Sequence, residues 1–157
     1  MNNKLETIAV CVDGSEPSWQ ALEYVKDLCE TFSPKRVLVI HVIPSLSSMT
    51  APHIAEGSDV VQANLIQFLE DQAEQLEEDI REELSELEAE VQMCFPSGNP
   101  GVRILEITEN EDADLILMGN RGLSGLASIL LGSVSERVAR NAPCSVLIVR
   151  PKKGEAE

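Results

Sequence analysis

Residues 7–19 read TIAVCVDGSEPSW and contain the clearest strand-to-helix pattern of the chain. The strand-type run 7–12 meets Asp13-Gly14-Ser15, which breaks the strand. Ser15 then stands where a helix N-cap is favoured, and Pro17 falls in the first helical turn, where its missing N–H costs nothing. The stretch therefore predicts a buried strand that turns directly into a helix.

Strand and helix alternate in the same way along the rest of the chain. Further strands are predicted over 37–43, 91–95, 114–118 and 145–149, and further helices over 58–90, 102–110 and 134–140. The runs 37–43 and 114–118 are almost entirely apolar, as expected of parallel strands covered on both faces, whereas Pro96 suits a strand at a sheet edge. This order predicts an α/β fold: a Rossmann-like, doubly wound, five-stranded parallel sheet with helices on both faces.

Length and composition place the chain in the globular class. Its 157 residues fit one domain, 1–157, in which 151–157 form a frayed tail. No run reaches the roughly 18–20 apolar residues of a membrane span, and the start lacks the pattern of a signal peptide, so we expect a cytoplasmic protein without a membrane span. The net charge of −15, from 12 basic and 27 acidic residues, argues against nucleic acid as a partner. A small anion held by backbone N–H groups stays compatible with that charge.

The cysteines and histidines form no pattern typical of metal binding or redox chemistry. Four cysteines lie apart with no CxxC pair, and two histidines form no cluster with them. We interpret the cysteines as small packing residues and predict no metal site.

The predicted helix 58–90 carries an apolar stripe and a strongly acidic opposite face. That face is interpreted as a solvated surface, with a docking surface for a basic partner as the less favoured alternative. The preceding residues 44–58 are predicted to form a loop.

The segment 119–133 follows the fourth predicted strand and is the main candidate for ligand binding. Its sequence is GNRGLSGLASILLGS. It contains neither GxxxxGK[ST] nor GxGxxG. Its glycines nevertheless allow close backbone approach, and the helix that follows offers free N–H groups to a phosphate. Ser133 has two possible roles, as the cap of that helix, in a capping box with Glu136, or as a phosphate ligand. Arg121 is either a phosphate ligand or an ordinary surface arginine.

The spacing Gly119-x2-Gly122-x9-Gly132-Ser133 resembles the G-2x-G-9x-G-(S/T) motif of the ATP-binding universal stress proteins. The resemblance extends from Ile8 to Val149, through the turn after the first strand, His41-Val42-Ile43 and Gly98-x-Pro100. It implies an ATP site, with Mg²⁺ on the triphosphate.

The resemblance also implies a role for each site residue. Cys11 and Val12 would line the pocket floor, and Asp13 would contact the ribose or adenine, unless it only stabilises its turn. Val42 would offer its backbone to the adenine edge. Met118 and Gly119 would flank the ribose, while the phosphates would be cradled by Gly122, Gly132, Ser133 and Val134. The strand 145–149 resembles the edge through which family members form homodimers.

Binding and turnover are separate predictions. Hydrolysis needs a positioned water and cations at the transferring phosphoryl group, and the loop offers Arg121 but no lysine. We therefore expect a nucleotide-responsive regulatory module with no catalytic residues and slow or absent hydrolysis. The alternatives are a weak ATPase or nucleotidyl-transfer enzyme on the same fold, and a nucleotide-free dimeric scaffold. The protein partner stays unknown.

Overall fold

The structure, a computed structural model, describes residues 4–45, 47, 59–121 and 131–151. In chain order its elements are β1 (Thr7–Cys11), α1 (Glu16–Phe32), β2 (Arg36–Ile40), β3 (Ile43–Pro44), α2 (Asp59–Glu83), β4 (Glu90–Cys94), β5 (Ser97–Gly98), α3 (Pro100–Asn110), β6 (Leu115–Gly119), α4 (Ser133–Asn141) and β7 (Ser145–Val149). Five strands form one parallel sheet in the order β4-β2-β1-β6-β7, and β3 pairs with β5 in a small second sheet. The predicted fold class is confirmed.

Helices cover the two faces of the sheet in pairs. On one face, apolar residues of α1 and α2, among them Leu22 and Ile80, pack against Val10 of β1. On the other face, Ile104 of α3 and Val138 of α4 pack with the opposite row of strand side chains. All five residues of β1 are buried as a result, which explains why that strand is apolar on both faces rather than alternating.

Two predicted boundaries are wrong. The predicted strand 37–43 separates into β2 and β3: β2 pairs with β1 and β4 in the main sheet, whereas β3 pairs with β5 in the small second sheet. The predicted helix 58–90 ends at Glu83, where a turn follows. Leu84 is buried and Leu87 packs against the same core. The apolar spacing therefore continues past the last helical residue, and the end of the helix could not be predicted from it.

The outer strands are β4 and β7, as predicted for the strand before Pro96 and for the last strand. Most of the predicted loop 44–58, namely residue 46 and residues 48–58, lies outside the described residues, as does the predicted tail from residue 152 onward. Among the helices that the structure describes, none combines the length and apolar content that a membrane crossing requires.

Candidate functional site

The strand order reverses between β1 and β6. From β1 the chain proceeds through β2 to β4 on one side of the sheet, and β6 and β7 lie on the other side. Cys11 at the end of β1 is in register with Ile40 of β2 and Met118 of β6, so the three carboxyl ends lie level with one another. Doubly wound sheets bind ligands outside the carboxyl ends of their strands at such a reversal.

A cavity of about 800 Å³ opens at this point. The structure brings ten of the eleven predicted site residues into its lining: Cys11, Val12, Asp13, Val42, Met118, Gly119, Arg121, Gly132, Ser133 and Val134. The eleventh, Gly122, lies outside the described residues. Segments 110 residues apart in the chain therefore meet in one concave site whose volume falls in the usual range for small-molecule pockets.

The turn after β1 is built around Asp13. Its Oδ1 accepts the Ser15 N–H at 3.0 Å and the Ser15 hydroxyl, and the Asp13 N–H donates to Ser18 Oγ at 3.3 Å. Gly14 adopts φ +85°, a conformation that favours glycine. Ser15 is the N-cap of α1, as predicted, although its hydroxyl binds Asp13 rather than the helix backbone.

These bonds show that Asp13 stabilises its own turn, which was the alternative to a ligand role. Both hydrogen bonds use Oδ1, and no donor from the described part of the chain occupies Oδ2. The two roles are therefore compatible, because the second carboxylate oxygen is available to a donor in the cavity.

Val42 combines a buried side chain with an unpaired backbone. The flanking N–H groups of His41 and Ile43 donate to Cys94 O at 3.0 Å and Pro96 O at 2.9 Å. Successive N–H groups of an extended chain point in opposite directions, so the Val42 N–H points away from that neighbour, and within the described ranges it has no backbone partner. Among the described residues, Val42 thus brings a backbone donor and acceptor with no backbone partner to the cavity that it lines.

The cap of α4 is Gly132, not Ser133. Gly132 has the extended conformation of an N-cap, and its carbonyl accepts the first helical bond, from the Glu136 N–H at 2.9 Å. Ser133 is the first helical residue and is exposed, so the predicted capping box of Ser133 with Glu136 does not form. The N–H groups of Ser133, Val134 and Ser135 precede the first helical bond, and such groups attract anions.

Asn120 and Ser135 hold the two ends of the loop together, and neither was among the predicted site residues. The Gly132 N–H donates to Asn120 O at 2.8 Å, and Ser135 Oγ lies 3.0 Å from both Asn120 O and Gly132 O. The Asn120 N–H donates to Val149 O at 2.9 Å, which ties the loop to β7. Their polar character was the only signal in the sequence: Asn120 occupies a variable position inside the glycine motif, and Ser135 follows the motif by two residues.

Gly119 is required by a close approach of α1. A Cβ atom at this position would lie 2.7 Å from Pro17 Cβ and 3.0 Å from the Pro17 carbonyl carbon. These distances are shorter than real carbon contacts, so the end of β6 packs against the first turn of α1 only because residue 119 has no side chain.

One wall of the cavity comes from residues that were not predicted to lie there. Trp19 of α1 and a row along α2 line it, including Phe68, Gln72 and Asp79. His41 also lines the cavity; its Nδ1 lies 2.8 Å from Val12 O, and its ring packs 5.2 Å from that of Phe95, centroid to centroid. The row on α2 has helical spacing, but no local pattern shows which element a helix will face.

The cavity floor is apolar, with charge at its margins. Burial, and secondarily the negative charge of Asp13, raise the pKa of the Cys11 thiol to about 12. All four cysteines are free, and burial raises the pKa of each of the others as well. The thiols are therefore protonated and weakly reactive near neutral pH, which supports their interpretation as packing residues.

Comparisons with known proteins agree with this arrangement. The model of the universal stress protein family matches residues 4–150. The chain belongs to this family. Universal stress protein MJ0531 of Methanocaldococcus jannaschii is 33% identical over 153 residues, which cover 98% of this chain and 86% of that protein.

Two solved structures extend the comparison. That of MJ0577, a universal stress protein of the same organism, superposes with a TM-score of 0.82 at 31% identity and covers 96% of this chain and 99% of its own. A universal stress protein in complex with cAMP has a TM-score of 0.60 at 26% identity and covers 92% of this chain and 95% of its own. The family and the fold are thus shared over nearly the whole chain.

Proposed function

We propose that this chain binds ATP in the cavity between the carboxyl ends of β1 and β6 and acts as a nucleotide-responsive regulatory module. The observation that carries the proposal is the convergence of unpaired backbone donors from separate segments on one cavity, namely Val42 and the first turn of α4. The relative that was solved with cAMP supports an adenine nucleotide as the ligand class.

Each part of the nucleotide has a candidate partner. The backbone N–H and carbonyl of Val42 suit the edge of adenine, and Oδ2 of Asp13 suits a ribose hydroxyl. The N–H groups of Ser133 and Val134, with the Ser133 hydroxyl, suit phosphate oxygens, since a helix N-terminus favours negative charge. Gly122 completes the motif, and its role rests on the family resemblance alone.

Mg²⁺ would accompany the triphosphate. This ion prefers phosphate oxygens and water with one or two carboxylates, rather than a cage of protein ligands. Within the described ranges, no group of three or more His, Cys, Asp or Glu side chains is placed to hold a metal. A metal carried by the phosphates fits such a site, because it needs no dedicated cluster.

Hydrolysis is proposed to be slow or absent. Phosphoryl transfer depends on cations that stabilise charge on the transferring group. Among the cavity-lining residues that the structure describes, Arg121 is the cationic side chain, and Asp13 and Asp79 oppose it with negative charge. Bound ATP would therefore act mainly by its presence, through the surfaces that it orders.

We also propose a homodimer through β7. Inside the chain, β7 pairs on one side only, with β6, and Leu147 on this strand is 37% exposed. An apolar edge strand is favourable once a second strand covers it. Sedimentation equilibrium of the full chain measures the assembly, and a strictly monomeric protein would contradict this part of the proposal.

ATP binding can be tested directly. The purified protein is denatured, any released nucleotide is identified by chromatography, and the stripped protein is titrated with ATP and Mg²⁺. Trp19, the single tryptophan of the chain, lines the cavity and reports binding by its fluorescence. We expect near-stoichiometric release of ATP. No release and no binding at millimolar ATP would refute the proposal.

Two arginine variants localise the site. Arg121→Gln removes the cation at the cavity, and we expect the ATP affinity to fall about tenfold, the value of one charge-assisted hydrogen bond. Arg140→Gln is the matched control, because Arg140 lies on the exposed side of α4 and pairs with Glu136. Both variants lower the net charge equally. Equal weakening in both would show a general charge effect rather than a local contact.

A further inference from the structure

Ser135 occupies an unusual position in α4. It is the third helical residue and is 2% exposed, and its hydroxyl lies 3.0 Å from the carbonyl oxygens of both Asn120 and Gly132. Residue 120 directly follows β6, and residue 132 directly precedes α4. One side chain therefore joins the two ends of the segment that contains the glycine motif.

The geometry makes this contact different from an ordinary helix hydroxyl bond. A serine hydroxyl has one proton, and here its oxygen lies within hydrogen-bond distance of two carbonyl oxygens, so the one donor is shared between them. The Gly132 N–H also donates to Asn120 O, at 2.8 Å. Asn120 O keeps this donor when the Ser135 hydroxyl is removed, so a serine-to-alanine change leaves no buried carbonyl wholly unpaired and costs little stability.

The bond sets the position of the first turn of α4. Its free N–H groups lie in residues 133–135, directly after the Gly132 carbonyl that the hydroxyl holds. Without the hydroxyl, the Gly132 N–H bond to Asn120 O is left to join these two ends, and we expect the first turn to shift relative to the end of β6. Displacements of about 1 Å are enough to weaken recognition that depends on preorganised donors.

We propose that the Ser135 hydroxyl positions the phosphate-binding donors: it fixes the N-terminal turn of α4 against the end of β6 by donating to protein carbonyls rather than to the ligand. This inference rests on the proposed function, because it concerns the phosphate end of the same nucleotide site. The proposal predicts a selective loss of affinity when the hydroxyl is removed. Loss of the hydroxyl weakens binding of ligands that carry phosphates and leaves binding of adenosine unchanged.

The test compares ATP with adenosine. Ser135→Ala is titrated with each ligand by calorimetry and Trp19 fluorescence, and we expect about a tenfold loss of affinity for ATP and less than a twofold change for adenosine. Ser135→Thr keeps the hydroxyl and is expected to bind ATP within twofold of the wild type. Equal weakening toward both ligands, or a threonine variant as weak as the alanine variant, would overturn the inference.

Thr108→Val is the matched control. Thr108 is fully buried, and its hydroxyl donates to Ile104 O at 2.8 Å inside α3. The substitution thus removes a buried helix hydroxyl bond outside the cavity lining. We expect wild-type affinity for both ligands, and a tenfold loss for ATP in this variant too would assign the effect to general destabilisation and overturn the inference. A wild-type protein that binds neither ligand would refute the nucleotide site itself, and that result differs from selective failure of Ser135→Ala.

Discussion

At the amino end of the sheet the polar groups are paired with each other, whereas at the carboxyl end several are left open. Asp114 Oδ2 accepts the N–H groups of Glu6 and Thr7 at 2.7 and 2.8 Å, and the Arg36 guanidinium donates to the Glu111 carboxylate at 2.7 Å. A depression of about 410 Å³ at this end is lined largely by these charged groups. Their mutual pairing leaves little capacity for a ligand.

The carboxyl end has fewer charges but more unused capacity. The Val42 backbone and the first turn of α4 offer donors, and Asn120 Oδ1 is buried without a partner in the part of the chain that the structure describes. An unpaired buried polar group costs free energy, so the unpaired Asn120 Oδ1 beside the open backbone donors supports a binding role for this end. Unused hydrogen-bonding capacity, rather than charge density, therefore distinguishes the proposed binding end of this sheet from the stabilising end.

The largest effect is expected from Gly119→Ala at the carboxyl end. The new Cβ would meet the ring and backbone of Pro17, which cannot move without shifting α1. We expect the free energy of unfolding to fall by about 3 kcal/mol, the upper range for overpacking, and ATP affinity to fall as well. Urea unfolding and the ATP titration measure the two effects.

Gly101→Ala is the matched control for that variant. Its Cβ would also approach another atom to 2.7 Å, but that atom is Cδ of Arg137, in a flexible side chain that can rotate away. Gly101 lies in α3, where alanine is favoured over glycine. We expect a change within 1 kcal/mol of the wild type. Equal destabilisation in both variants would mean that the rigid contact with Pro17 is not the cause.

A smaller and more selective effect is expected at the amino end. Asp114→Ala removes the acceptor of two backbone N–H groups, and we expect the free energy of unfolding to fall by about 2 kcal/mol. ATP affinity should stay unchanged, because the site lies at the other end of the strands. Asp114→Asn keeps one acceptor oxygen and should lose less stability. A loss of ATP affinity in the folded Asp114→Ala variant would contradict the view that the amino end serves stability alone.

Much of the carboxyl end could be predicted because its pattern is local. The strand-to-helix turn at 13–15, the buried run 114–118 and the spaced glycines are short segments whose residue types restrict the backbone directly. A parallel sheet then brings the carboxyl ends of its strands to one edge. Alternation therefore predicted that these strand ends would lie together, whereas the roles of single residues such as Val42 came from the family resemblance.

The remaining features depend on contacts between distant residues. The residues 133–136 favour a cap at Ser133, but the bond from the Gly132 N–H to Asn120 O closes the loop one residue earlier and makes Gly132 the cap. The wall formed by α2 was missed because helical periodicity identifies the buried face of a helix but not the element that it meets. The pairing of Asp114 with the N-terminal segment was missed because a strand pattern does not show which distant residues a polar side chain will meet.

The smallest effect concerns the floor of the cavity and depends on pH. The pKa of Cys11 is raised from an ordinary 9.0 to about 12, so the folded chain keeps a proton that the unfolded chain loses. This contribution to stability is fully present below pH 9 and is lost as the pH rises toward 12. Between pH 8 and pH 10 it should decrease by about 1.4 kcal/mol, one pKa unit in free energy.

Cys11→Ala isolates this contribution. The free energy of unfolding of wild type and variant is measured in urea at pH 8 and at pH 10. The difference between the two proteins should be smaller at pH 10 than at pH 8 by the amount given above. Cys29→Ala is the control, since Cys29 lies in α1 away from the cavity and is only partly buried, and its difference should change less. A pH-independent difference for Cys11 would mean that water reaches the thiol. The floor of the carboxyl-end cavity would then be accessible to water, and burial in apolar surroundings could not be the property that distinguishes it from the charged amino end.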